Sequence, residues 1–104
     1  MSKSRTITRL APIHPGEVVA DALAEAGVTA NAAAIAMGVP ANRLTAILKG
    51  QRAVTADTAL RLGLYFGTTP RIWMNLQASY DLQTAEDRLS AKIASEVRPL
   101  KLAS

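Results

Sequence analysis

The segment from Thr29 to Gly50 places the strongest limit on the fold, because its capping and turn residues mark two short helices separated by a tight break. Thr29 is a good N-cap for the alanine-rich run that follows it, and Gly38 can reverse the chain with a positive φ angle. Pro40 is suited to open a second helix, which Gly50 closes. The segment therefore predicts a helix-turn-helix.

The two predicted helices carry inner faces that fit each other. The first helix offers small side chains that allow a close crossing, at Ala33, Ala34 and Ala36. The second helix turns branched apolar side chains inward, at Leu44, Ile47 and Leu48. Its outer face then mixes amide, guanidinium, hydroxyl and methyl groups, which suit the edges of base pairs in DNA.

A DNA-contacting set is predicted around this outer face. Asn42 and Arg43 are expected to read bases, whereas Lys49 and Arg52 are expected to meet phosphates. The complete set comprises Thr29, Asn31, Pro40, Ala41, Asn42, Arg43, Thr45, Ala46, Lys49 and Arg52. Two plainer interpretations remain open at this point: the basic residues could form an ordinary solvated face, and Asn42 could cap the helix locally.

The placement of charge agrees with a phosphate-facing surface. Between Ala26 and Tyr80 there is one acid, Asp57, although the net charge of the whole chain is only +4. Five bases occupy the same stretch, at Arg43, Lys49, Arg52, Arg61 and Arg71. A basic central segment with acids on either side indicates DNA binding, because the release of counterions from phosphates supplies most of the sequence-independent affinity for DNA.

Length and residue usage narrow the class of protein. A chain of 104 residues, 49% of them hydrophobic, suits one domain with a single core. The absence of cysteine excludes disulfide scaffolds and thiolate metal sites, and the polar N-terminus lacks the apolar region of a signal peptide. The longest apolar run, 32–39, is far shorter than the roughly 20 residues that span a bilayer. We therefore expect a cytoplasmic protein without a membrane anchor.

The sequence contains no arrangement of residues that is typical of a catalytic site. His14 is the only histidine, so a site with several histidine ligands is impossible, and we expect His14 to have a structural role at the first helix. Glu86 and Asp87 are adjacent rather than facing, and no glycine-rich phosphate loop is present. The aromatic residues Trp73, Tyr80 and Phe66 fall on predicted inner faces. We predict neither an enzyme nor a metal or other cofactor.

The remaining helix signals predict an all-α bundle of five helices within the first 80 residues. An amphipathic helix begins at Pro15 and ends at Gly27, Thr55 caps a fourth helix that Gly67 stops, and Pro70 begins a fifth. Residues 1–13 are expected to form a flexible arm, 14–80 the helix-turn-helix domain and 81–104 a C-terminal extension. Apolar spacing predicts a further helix to about residue 95. The tail at 97–100 could be helical, or it could be extended, because Pro99 restricts Arg98 towards β or polyproline geometry.

The C-terminal extension is the predicted dimerisation segment. One reading helix covers only a few base pairs, so a two-fold dimer on a palindrome is expected, with half-sites about 34 Å apart or a multiple of that distance. An apolar row remains unassigned in the extension, at Leu82, Leu89, Ile93, Val97 and Leu100. We expect this row to make the symmetric contact.

Six short motifs occur in an order and spacing that resemble one known family. They are HPGE at 14–17, GVP-NR at 38–43, TADTALRL at 55–62, YFG at 65–67, W-x-NLQ at 73–77 and YDL at 80–82. Together they resemble the HigA antitoxin branch of the XRE family, whose members are Cro-like and lambda-repressor-like helix-turn-helix proteins. The family usually has leucine at the position of Ala33 and a polar or charged residue at that of Ile35. Ala46 and Lys49 also differ from the family's usual residues, so the resemblance does not imply the operator sequence.

The resemblance implies a five-helix bundle of the lambda-repressor type and an antitoxin function. Such a protein binds a small mRNA-cleaving toxin of the RelE/HigB type and represses its own operon as a dimer, with the helix at 40–49 in the major groove of operator DNA. Two alternatives remain open. One is a transcriptional regulator without a toxin partner, and the other is a protein-interaction module that no longer binds DNA.

The docking site for a toxin is predicted from charge. Toxins that cleave RNA handle polyanions and tend to be basic, so the antitoxin needs an acidic surface apart from its DNA face. We expect this surface on the first helix, at Glu17, Asp21 and Glu25, together with the preceding arm. A second acidic set lies near the C-terminus, at Asp81, Glu86, Asp87 and Glu96.

Overall fold

The computed structural model describes residues 11–101, and its secondary structure there is entirely helical. The helices are α1 (Pro15–Ala26), α2 (Ala30–Met37), α3 (Ala41–Leu48), α4 (Ala56–Phe66) and α5 (Pro70–Glu96). The predicted all-α class is therefore confirmed. Most of the predicted N-terminal arm, including Lys3, Arg5 and Arg9, lies outside the described residues, as do residues 102–104 of the extension.

His14 begins the bundle by capping α1. Its Nδ1 accepts a hydrogen bond from the backbone N–H of Gly16 at 2.9 Å, and its own N–H donates to Oε2 of Glu17 at 3.2 Å. The imidazole is 4% exposed and meets the ring of Tyr80 edge-on, with 4.9 Å between ring centroids. These contacts satisfy free N–H groups at the start of the helix. The structural role predicted for His14 is confirmed.

Besides Trp73 of α5, the helices α1, α2, α3 and α4 supply most of the core. Val19, Ala33, Leu44 and Leu62 are each at most 1% exposed, so every one of these helices contributes a fully buried side chain. Small residues do bring α2 against α3, but the sequence expectation holds for Ala33 and Ala34 only. Ala36 is exposed, because it projects from the opposite side of α2.

The aromatic residues pack inside the bundle to different degrees. Trp73 is 5% exposed, and its Nε1 donates to Oγ1 of Thr68 at 2.8 Å. Phe66 is half-buried against it, with 5.8 Å between ring centroids, and Tyr80 is half-buried as well. The prediction that these rings serve packing is confirmed. The indole N–H has the partner that a buried tryptophan needs.

The last helix runs without a break for 27 residues. The predicted division at residue 80 falls inside it, and the further helix expected beyond Tyr80 is a continuation of α5. No glycine or proline occurs between Pro70 and Pro99, so nothing in the local sequence ends the helix earlier. Val97, with φ −87° and ψ 130°, leaves the helix in an extended conformation, and residues 98–101 have no regular secondary structure.

A buried amide joins α5 to the loop before α4. Oε1 of Gln77 accepts from the backbone N–H of Val54 at 2.8 Å, and Nε2 donates to Oδ1 of Asp81 at 2.9 Å.

In residues 11–101, no single helix is both long and apolar enough to cross a membrane. Helices α1 and α2 meet that requirement only as a pair, which is bent by 106°.

Candidate nucleic-acid interface

The helix-turn-helix is built from α2, a short turn and α3. Gly38 takes the left-handed conformation with φ 72°, and the backbone N–H of Val39 donates to the carbonyl of Ala34 at 3.0 Å. Pro40 is the N-cap of α3 rather than its first residue, and its carbonyl accepts from the backbone N–H groups of Arg43 and Leu44. The predicted start of the second helix is thus displaced by one residue.

One face of α3 anchors the helix and the opposite face is open. Leu44 and Ile47 are each 1% exposed, as the inner-face prediction requires. Ala41, Asn42 and Lys49 are exposed, whereas Arg43, Thr45 and Ala46 are half-buried. The hydroxyl of Thr45 donates to the carbonyl of Ala41 at 2.9 Å, which leaves its oxygen free to accept.

The remaining predicted DNA-contacting residues flank α3. Thr29 caps α2 by accepting from the backbone N–H of Ala32 at 3.1 Å, and Asn31 is exposed in the first turn of that helix. Pro40 and Arg52 are exposed at the two ends of α3. None of the ten predicted residues is buried.

A carboxylate that the sequence analysis did not assign lies beside this face. Oδ1 of Asp57, in the first turn of α4, is 3.3 Å from Nη1 of Arg43 and 2.8 Å from Nε of Arg61. Nη1 of Arg61 also donates to the carbonyl of Met37 at 3.0 Å and to that of Gly38 at 3.3 Å. Asp57 and Arg61 therefore join α3, α4 and the turn.

The sequence contains a signal for half of this network. Asp57 and Arg61 are four residues apart on a predicted helix, which is the spacing of a local ion pair. Arg43 is 14 residues from Asp57, and only the packing of α3 beside α4 brings them together. The hydrogen bond from Arg61 is the main reason that the pKa of Asp57 lies below its ordinary value, and the charges of Arg61 and Arg43 add to the effect. The pKa of Arg61 is raised in turn by Asp57.

The predicted toxin-binding acids lie on the exposed face of α1. Glu17, Asp21 and Glu25 are all exposed, although Glu17 is also part of the cap at His14. In the C-terminal set, Asp81 accepts from Gln77 and Glu96 pairs with Lys92.

The apolar row predicted to form a dimer is open to solvent in the single chain. Leu82 is 63% exposed, and Leu89 and Ile93 are 42% and 46% exposed on the same helix. Val97 and Leu100 extend the row beyond the end of α5.

Comparisons with known proteins place this fold beside antitoxins. No family model matches the chain. Antitoxin HigA-1 of Vibrio cholerae is 34% identical over 94 residues, which cover 89% of this chain and 88% of that protein. An addiction module antidote protein of the HigA family from Coxiella burnetii is 49% identical, with a TM-score of 0.83, and the match covers 88% of this chain and all of that one.

Several of the similar structures include promoter or operator DNA. The Pseudomonas aeruginosa antitoxin HigA with the higBA promoter is 43% identical to this chain, with a TM-score of 0.82. The match covers 86% of this chain and 99% of that antitoxin.

Proposed function

Since the chain belongs to the HigA antitoxin family, we propose that it binds operator DNA through α3 and neutralises a toxin through a separate surface. It is an antitoxin and a repressor that binds its operator. The observation that carries the DNA-binding role is the pairing of a core-anchored inner face, Leu44 and Ile47, with an open outer face on the same helix. A helix fixed in this way can enter the major groove as a rigid body.

Asn42 and Arg43 are the proposed base-reading residues. An asparagine amide can pair with adenine and a guanidinium with guanine through two hydrogen bonds each. Lys49 and Arg52 are the proposed phosphate contacts, because ammonium and guanidinium groups at the end of the helix and in the following loop face the backbone of a duplex. Both residues are exposed, in keeping with this role.

The proposed protein partner is a toxin of the HigB/RelE type, which cleaves mRNA. The acids Glu17, Asp21 and Glu25 on α1 are the proposed docking surface, because they are exposed and lie on a helix other than α3. A basic toxin would be attracted there while α3 remains available to DNA. One complex could then hold toxin and operator together.

A homodimer through Leu82, Leu89, Ile93, Val97 and Leu100 completes the proposal. A palindromic operator needs two reading helices related by a two-fold axis. The exposed apolar row on α5 supports this arrangement, because it would lose contact with water in a symmetric contact. We propose the cytoplasm as the place of action and no catalytic role, in keeping with relatives that are antitoxins.

A titration and a co-purification test these proposals. The chain is titrated at fixed salt against labelled DNA from upstream of its own gene and against a shuffled duplex of equal length. Specific binding at about 10⁻⁸ M or tighter is expected for the first only. The product of the neighbouring gene is expected to co-purify with the chain. DNA preference without a partner would favour a stand-alone regulator, and a partner without DNA preference would favour a protein-interaction module.

A further inference from the structure

We propose that Asp57 is a positioning residue that sets how strongly this protein prefers its operator to other DNA, and that it acts through the guanidinium of Arg43. The inference rests on the proposed role of Arg43 in base reading. Asp57 itself touches no base in this proposal. It holds one side of the Arg43 side chain and places a negative charge beside the reading helix.

The carboxylate is held in place before DNA arrives. Arg61 donates to Oδ1 of Asp57 at 2.8 Å and is itself hydrogen-bonded to the carbonyls of Met37 and Gly38. The carboxylate thus has a fixed position relative to the turn of the helix-turn-helix. Arg43 then meets this same Oδ1 at 3.3 Å. These hydrogen bonds run from the turn through Arg61 and Asp57 to Arg43. They define where the guanidinium of Arg43 lies above α3.

This contact restrains Arg43 without using up its hydrogen-bonding capacity. Asp57 engages Nη1 only, and a guanidinium carries five N–H donors in a fixed fork. The side chain of Arg43 is 28% exposed, so part of its length is already packed. Ordering a free arginine on binding costs conformational entropy, which a side chain held in advance has largely lost already. Base contacts on the operator benefit, because they need one defined geometry.

The negative charge of Asp57 weakens sequence-independent binding to DNA. Asp57 is the one acidic residue between Ala26 and Tyr80, and it lies among bases that are suited to phosphate. Its charge repels the backbone of every duplex, whatever the sequence. Good base contacts can offset this repulsion on the operator, whereas other DNA offers none. Because this repulsion acts on the operator and on other DNA alike, it lowers both affinities without changing their ratio, and the preference for the operator depends on the contact with Arg43.

The decisive variant is Asp57→Asn, which removes the charge but keeps a carbonyl oxygen for Arg61. Its affinities for the operator duplex and for a shuffled duplex are measured beside those of the wild type, at several salt concentrations. The ratio of the two affinities is expected to fall about 1.5-fold to fivefold, the range for one exposed ion pair. Binding of the shuffled duplex is expected to tighten and to depend more steeply on salt.

Two further variants test whether Asp57 acts by positioning Arg43 or only through its charge. Unfolding measurements show whether a variant has lost folded protein. Asp57→Asn is repeated in an Arg43→Ala background, where the ratio of affinities is expected to stay unchanged because the residue through which Asp57 acts is gone. Asn75→Lys, at an exposed position of α5 to which no binding role is assigned, makes the same change in net charge and is expected to leave the ratio at the wild-type value. Thermal unfolding of each variant is recorded, and a ratio corrected for the folded fraction is used.

The outcomes distinguish this inference from the function on which it rests. A wild-type protein that does not prefer the operator overturns the proposed DNA-binding role. A wild type that prefers the operator, with an Asp57→Asn variant that prefers it equally, overturns the inference about Asp57 alone. The same is true if Asp57→Asn lowers the ratio by an equal factor in the presence and absence of Arg43.

Discussion

Gly16 packs so closely against Ile47 that a Cβ atom at position 16 would lie 1.8 Å from the Ile47 carbonyl oxygen. The first turn of α1 and the last turn of α3 therefore meet backbone to backbone. This contact fixes one end of α3 against the bundle. It also gives a physical reason for glycine inside the first turn of a helix, where alanine has the better propensity.

Replacing Gly16 by alanine is expected to destabilise the protein. Helix propensity would favour the change by about 1 kcal/mol, but the methyl group forces α1 away from α3, which costs about 1–3 kcal/mol beyond that gain. Denaturant unfolding measures the difference. Gly27→Asn is the control, because no atom lies within 4 Å of a Cβ there and asparagine tolerates the left-handed backbone at φ 71°. Equal stability of the two variants would show that the close contact is not limiting.

Loss of the proposed base-reading side chains should weaken operator binding selectively. Asn42→Ala and Arg43→Ala are each expected to cost about 1–3 kcal/mol of operator affinity and to relax base preference at one position. Stability should change little, since Asn42 is exposed and the ion pair of Arg43 is only half-buried. Titration at fixed salt against the operator and its single-base variants measures both effects.

Lys49→Ala provides the contrast for these variants. A phosphate contact does not depend on base sequence, so this change should weaken binding to every duplex alike. The slope of log affinity against log salt concentration should become shallower by about one unit. Arg52→Ala should behave in the same way. If Asn42→Ala and Arg43→Ala bound the operator as tightly as the wild type, the base-reading assignment would be wrong.

The ion pair at Asp57 should give stability a dependence on acid. The pKa of Asp57 is lowered in the folded protein from the ordinary 3.8, so the folded state favours the ionised carboxylate. The contribution of the ionised Asp57 to the free energy of unfolding is complete above the unfolded-state pKa. It is lost as the pH falls through the lower folded-state pKa. The difference in Tm between wild type and Asp57→Asn should stay constant from about pH 7 to about pH 5 and vanish in stronger acid. A difference that already disappears near pH 6 would contradict this assignment.

Charged substitutions in the apolar row of α5 should dissociate the proposed dimer. Leu89→Asp with Ile93→Asp would place two carboxylates in a symmetric apolar contact, where an unpaired charge is costly. Light scattering is expected to give the mass of a monomer, with helicity retained because both positions are exposed in the single chain. Leu64→Asp, at a position 89% exposed on α4, is the matched control. A double variant that stays dimeric would move the interface elsewhere.

Neutral substitutions on α1 should weaken toxin binding. Asp21→Asn with Glu25→Gln removes two exposed charges and leaves Glu17 in its cap at His14, so α1 should remain intact. Affinity for the neighbouring toxin is expected to fall about tenfold, mainly through slower association. Calorimetry or surface plasmon resonance measures it. Glu86→Gln with Asp87→Asn tests the C-terminal set, and a loss confined to that pair would place the toxin there instead.

Much of the fold could be predicted from the sequence because the relevant signals are local. Thr29 and Thr55 cap helices by bonding N–H groups three residues ahead, and Gly38 ends α2 through its own φ angle. The inner face of α3 follows from the spacing of Leu44 and Ile47 alone. The candidate DNA face could be predicted for the same reason, since it is what remains on the other side of that helix.

Contacts between helices depended on the tertiary structure. Asp57 meets Arg43 and Gly16 meets Ile47 across elements whose relative positions follow from packing of the entire core. The sequence determined which residues form helices and which side of each helix turns inward, because these properties arise within about four residues of chain. Tertiary structure alone decided that a carboxylate of α4 meets an arginine of α3, because that distance is set by how the helices share one core.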